Sequence, residues 1–212
     1  MKRIGYRLFP VLAITLMLVG SAFAQDFSDF FVTYYSNANT TGAPDGTLRI
    51  VNDGVTDVDS INVYGLYADI YVFDDSEEMQ DCCSCFISPD GILSESVNKQ
   101  LANPNIELTG RAEINRGVIK VISDVFGNPT GAFAWAGLRG YMTHVQATST
   151  TVGATKPWPS KGVAPFYVSE DALADSNLSN SELNALEESC SLAITLGSGF
   201  GVCTCTPEDH DF

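Results

Sequence analysis

Three thiols stand within four residues in the stretch DCCSC, Asp81 to Cys85, and the other three cysteines are Cys190, Cys203 and Cys205. Thiols placed this way can ligate a soft metal ion, act as redox or nucleophilic thiolates, or close disulfides. CCxC together with CxC supplies enough sulfur for zinc or an iron–sulfur cluster, with His210 near the second group. Zinc ribbons, however, use CxxC pairs, whose spacing lets both sulfurs turn onto one ion. Covalent haem needs CxxCH, which does not occur in the chain. A CxC redox pair needs a basic neighbour to lower a thiol pKa, and nothing basic flanks either cluster.

The disulfide reading fits better. An even number of cysteines in an exported chain favours bridges. Six cysteines permit about 15 pairings, and geometry removes many. Neighbours Cys82 and Cys83 would need a strained ring. In an extended CxC segment the two thiols share a face with Cα atoms about 6.5 to 7 Å apart, at or past the usual bridging limit. Cys82, Cys83 and Cys85 are therefore each expected to pair with one of Cys190, Cys203 and Cys205. Adjacent cysteines on a strand point to opposite sides and can reach two different elements. Which partner each takes stays open among six schemes.

Export is read from the start of the chain, MKRIGYRLFPVLAITLMLVGSAFAQDF. Lys2, Arg3 and Arg7 form a basic head, Val11 to Val19 is a nearly continuous apolar run, and Ala22-Phe23-Ala24 supplies the small-x-small pattern of a cleavage site. The expectation is a signal peptide over residues 1–24 and a mature chain from Gln25. The run is short of the ~20 residues that span a bilayer, so no integral membrane segment is expected after processing. Periplasm, cell surface and extracellular space all remain open.

Processing removes three of 11 basic residues and none of 26 acidic ones, leaving 8 against 26 and a net charge of −18. Such a surface argues against nucleic acid and anionic membranes as partners. With 45% hydrophobic and 17% charged residues the mature chain can bury a sizeable core.

The elements that must position the cysteines read mainly as strands. In GLYADIYVF, Leu66, Ala68, Ile70 and Val72 alternate with Tyr67, Asp69, Tyr71 and Phe73, the period of a strand with two differing faces. LRIV (Leu48 to Val51), GVIKVIS (Gly117 to Ser123, closed by GNPTG), the alternations at Phe133/Trp135 and at Tyr141, Thr143, Val145 and Ala147, FYV (Phe166 to Val168) and GVCTC add further strands. One helix is expected after the capping box Ser179-Asn180-Ser181-Glu182, with Leu178 and Leu183 as a staple and Leu183, Leu186, Cys190 and Ile194 on its buried face. Gly197, Ser198 and Gly199 stop it. The fold class is mainly β: an antiparallel sandwich or barrel-like domain with one C-terminal helix, stapled by disulfides. Residues 25–45 form an aromatic N-terminal arm or a first strand plus linker, residues 46–206 the β-rich domain, and residues 207–212 a polar tail.

Other chemistry is thin. His144 lies in a strand pattern and reads as structural, and His210 lies in the tail. No GxSxG, HExxH, P-loop or GxGxxG occurs. GSGFG follows a helix and precedes a strand, the reverse of a phosphate-binding loop. Asp74, Asp75, Glu77, Glu78 and Asp81 after the third strand could bind calcium, and Asn52, Asp53, Asp57 and Asp59 flank a turn. Neither run has EF-hand spacing, and a solvated acidic edge explains both.

IYVFDDSEEMQDCCSC (Ile70 to Cys85), followed by ISPDGILSESVN, RGVIKVIS and ELNALEESC…GSGFGVCTC, resembles a family of uncharacterised exported bacterial proteins over roughly residues 46 to 205. The resemblance implies export and a shared cysteine framework, and assigns no activity to any residue. The expected function is a secreted, non-enzymatic structural, adhesive or assembly component of the envelope or extracellular space, without a cofactor. It could associate with itself through the N-terminal arm or with another envelope protein. The alternative is a calcium- or glycan-binding module.

Overall fold

The computed structural model describes residues 29–54, 65–103, 114–147, 166–196, 201–203 and 205. Residues 1–28, with the expected signal peptide, and Asp57, Asp59, the KPWPSKG loop, Gly197 to Phe200 of GSGFG and the tail with His210 lie outside them. The described residues form ten strands, a short π-helical segment (Val97–Ala102) and one α-helix.

A six-stranded sheet has the order β10-β4-β3-β6-β1-β9. Its members are β1 (Phe30–Tyr35), β3 (Leu66–Asp74), β4 (Met79–Ile87), β6 (Gly117–Asp124), β9 (Ala174–Asp175) and β10 (Gly201–Val202). A four-stranded antiparallel sheet has the order β5-β2-β7-β8, from β2 (Thr47–Asn52), β5 (Ile92–Ser96), β7 (Leu138–Ala147) and β8 (Phe166–Ala172). Every pairing is antiparallel except that of β10 with β4.

The alternation in β3 sorts its side chains as read. Leu66, Ala68, Ile70 and Val72 join Leu48, Ile50, Leu93, Leu138 and Met142 of the facing sheet in one core, while Tyr71 and Phe73 belong to a second core on the other side. The helix α1 (Asn180–Leu196) closes that second core with Leu186, Cys190 and Ala193. The result is a sandwich with a helix packed on the outer face of its larger sheet.

Of the two readings of the aromatic segment, the first strand is the one present: β1 pairs along its whole length with β6 and at Phe31 and Val32 with β9, and Phe30, Phe31 and Tyr35 are buried. Burying three rings within the chain outweighs leaving them on a loose arm. Phe133 to Ala136 contributes only an isolated bridge, Ala134 with Asp124. In β7 the buried positions are Leu138, Gly140, Met142 and His144 in one phase, with Val145 also buried, so of the expected alternation only Val145 is buried.

On α1, Ala193 is buried and Ile194 is 46% exposed. The stripe advances by three residues after Cys190, because a 3.6-residue period alternates steps of three and four. The capping box is half formed. Ser179 Oγ accepts from the Glu182 amide at 3.1 Å, but the Glu182 carboxylate turns to Lys120 of β6. Leu178 and Leu183 both pack on the outer core, as a staple requires.

Candidate functional site

Strand β4 is the centre of the cysteine chemistry. A strand puts successive side chains on opposite faces, and Cys82 accordingly lies in the helix-side core while Cys83 and Cys85 lie between the sheets. Cys82 bonds Cys190 of α1, with Cα atoms 5.8 Å apart. Cys83 bonds Cys203 and Cys85 bonds Cys205, with Cα separations of 5.2 and 5.5 Å. Of the six schemes the order-preserving one is present.

Its cause is the parallel register of β10 on β4. Gly201 stands beside Asp81 and Val202 beside Cys82, and the next partners at the same offset of 120 residues are the two bonded pairs. Two CxC segments running side by side in one direction present their thiols in matching order. The Cys83 and Cys85 sulfurs lie 3.8 Å apart, and with Cys205 they are the one convergent group of three or more metal-type ligands among the described residues. All three sulfurs are committed to disulfides, and a disulfide sulfur is not a thiolate ligand.

The five acidic residues of the expected calcium site do not converge. Asp74 closes the β3–β4 turn: one carboxylate oxygen accepts from the Ser76 and Glu78 amides at 2.8 and 3.0 Å, the other from Gln80 Nε2 at 2.7 Å. Asp75 pairs with Arg116, and Glu77 and Glu78 face solvent. Asp81 is fully buried, paired across β3 with Val72 beyond the bulge at Gln80. A turn carboxylate that bonds its own backbone is a structural device. Of the second run, Asn52 bonds the Ile87 carbonyl and Asp53 pairs with Arg139.

Two buried carboxyls flank the clasp. Neither oxygen of Asp69 or Asp81 has a hydrogen-bond partner among the described residues. Burial pushes Asp81 up to about 8, opposed only by the Cys82 backbone. Burial pushes Asp69 up to about 7; the Ser84 hydroxyl opposite works against the rise without reaching hydrogen-bond geometry, and Asp124 and Glu187 add to it. His144 is buried in β7, its ring stacked on Tyr34 at a centroid distance of 4.2 Å with Asp171 4.0 Å from Nε2; burial lowers its pKa.

A feature absent from the sequence reading gathers around Asp124 at the end of β6. Its carboxylate accepts from four backbone amides, those of Phe126, Gly127, Asn128 and Phe133. The loop this secures leaves Phe126 and Phe133 exposed to solvent and sets Gly127 against the Tyr67 ring. The legible signal was an aspartate three residues before Gly-Asn-Pro, the pattern of a side chain capping its own turn. No helix among the described residues is long and apolar enough to cross a membrane. Compared with known protein families, curated proteins and solved structures, the chain matches none.

Proposed function

We propose that the protein is an exported, non-enzymatic component of the cell envelope or extracellular space, with a structural, adhesive or assembly role. The observation that carries this reading is the clasp of three disulfides joining β4 to α1 and the C-terminal strand. Such bonds form and persist in oxidising compartments. They close loops of 108 and 120 residues, which restrains the unfolded chain and suits a domain that must keep its shape outside the cell. The basic head, apolar run and Ala-x-Ala of residues 1–24 support the same compartment.

Association through a free N-terminal arm is not part of the proposal, because β1 is consumed by its own sheet. Partners meet the surface of the folded domain. The test is to fractionate cells expressing the full chain, alkylate the recovered protein and measure its intact mass. The mature protein is then added back to stripped envelopes. Expected are an envelope or external location, no free thiol, and saturable rebinding or self-assembly. A reduced chain held in the cytoplasm, or an exported chain that does neither, overturns the proposal.

A further inference from the structure

Two pairs of aromatic rings lie near the end of the larger sheet where β3 begins and β4 ends. Tyr67 and Phe86 meet edge to face with centroids 5.2 Å apart, and Phe126 and Phe133 lie 5.6 Å apart. Gly127 joins the two pairs: a Cβ there would stand 2.5 Å from the Tyr67 ring. Phe86, Phe126 and Phe133 are 43%, 62% and 52% exposed, and none of the four rings belongs to either core.

The face is held rigidly. Gly65 lets the Phe86 ring lie against the backbone, where a Cβ would come within 2.6 Å of it, and Gly127 at φ +67° does the same for Tyr67. Asp124 fixes the loop from below through its four amides. Exposed rings carried on a backbone that is itself secured mark a surface prepared for a ligand.

The charge distribution selects the ligand. The stretch from Phe126 to Phe133 carries no charge, in a chain whose net charge is −15. The two acids bonded to its backbone are both occupied: Asp124 is buried and accepts from four of its amides, and Glu187 accepts from the Ala132 amide at 2.9 Å. An anionic polymer or a second copy would meet the acidic remainder of the surface. An apolar protein partner anchors best in a pocket, whereas these rings stand out from the surface. Flat rings with electron-rich faces, next to exposed Asn128 and Thr130, match a ligand with polarised C–H faces and hydroxyl edges. We infer that Tyr67, Phe86, Phe126 and Phe133 form a binding platform for a neutral polysaccharide. This deepens the adhesive form of the proposed function and rests on it.

The experiment mixes the mature, oxidised protein with cellulose, chitin and an insoluble β-1,3-glucan, with alginate as an acidic control, and measures depletion from solution. Wild type is expected on at least one neutral polymer and not on alginate. The Phe126→Ala/Phe133→Ala variant should bind about tenfold more weakly or worse. Phe86→Ser, on the strand and not the loop, tests the same face independently should the double variant unfold. Tyr167→Ala, 59% exposed on β8, should bind as wild type. No retention on the three neutral polymers, or equal retention of Phe86→Ser and wild type, overturns the inference. So does a concentration-dependent dimer in sedimentation that the variants abolish, which gives the face to a second copy. Envelope rebinding that persists without polysaccharide binding removes this inference and leaves the proposed function standing.

Discussion

Asp69 of β3 stands directly across from Ser84 of β4, and neither its carboxylate nor the Ser84 hydroxyl has a hydrogen-bond partner among the described residues. The pair sits in the same sheet face as Cys82, with Asp124 and Glu187 near enough to act on Asp69. A carboxyl kept there is held more easily as the neutral acid.

Stability should therefore fall as pH rises. Asp69 is raised from 3.8 to about 7 and Asp81 to about 8, so between 3.8 and those values the folded chain binds more protons than the unfolded one. The stabilisation is complete below the unfolded value and is lost as pH climbs through the folded values. We expect a higher melting temperature at pH 5 than at pH 8.5. Asp69→Asn should remove on the order of 2 kcal/mol of that difference. An unchanged slope in the variant would refute the assignment to Asp69.

The three bridges should contribute unequally. Replacing Cys82 and Cys190 by Ser, with Cys83–Cys203 intact, reopens a loop of about 14 residues, one step from Cys82 to Cys83 and 13 from Cys190 to Cys203, and removes the bond that ties α1 to β4, for a cost of about 2–4 kcal/mol. Replacing Cys85 and Cys205 should cost less, because Cys83–Cys203 already holds the strand two residues away and the remaining loop is short. Denaturant titration of the two oxidised variants gives the order directly.

Asp124→Ala strands four backbone amides that share one carboxylate. We expect a loss of about 2–4 kcal/mol and faster amide exchange at Phe126, Gly127, Asn128 and Phe133. Slow exchange retained at those positions would show that the loop is held by something else.

Gly117→Ala should be among the worst single substitutions. A Cβ there would stand 1.8 Å from the Phe73 carbonyl oxygen, in the register where Gly117 faces Asp74 and Tyr35. Backbone cannot yield as a side chain does, so a cost above about 3 kcal/mol is expected. Wild-type chemical denaturation would place the contact elsewhere.

The helix face can be tested by a contrast. Ile194→Lys should change stability by less than about 0.5 kcal/mol, since Ile194 faces solvent. Ala193→Leu should cost about 1–3 kcal/mol by overfilling the contact with β4. The reverse order would restore Ile194 to the buried stripe.

Much of this architecture is legible in the residues themselves. Side-chain alternation alone assigns both faces of β3, because pleating forces a period of two and burial rewards whichever face is apolar. Ser179 and Leu178 mark the helix start for similarly local reasons. Cys82 and Cys83 on opposite faces follow from the same pleat. Asp81 shows the limit: in DDSEEMQDCCSC it reads as one more surface acid, yet it continues the register that Cys82 to Ile87 hold on β3 and is buried with them. Ile194 and Ala193 show another, since two positions a step apart on a helix differ only in what packs against them.

Local periods in the residues are enough to give a strand-rich chain, one capped helix and two cysteine groups expected to bridge. How distant pieces meet is a matter of the folded chain alone. The parallel alignment of β10 on β4 chose one disulfide scheme of six. The union of β1 with β6 turned an aromatic arm into a buried strand. The fold paired Tyr67 with Phe86 and Phe126 with Phe133, and set Asp69 opposite Ser84. The physical reason is that pleat and cap act within a few residues, whereas register and packing are settled by the summed burial of strands far apart in the chain, which no local pattern encodes.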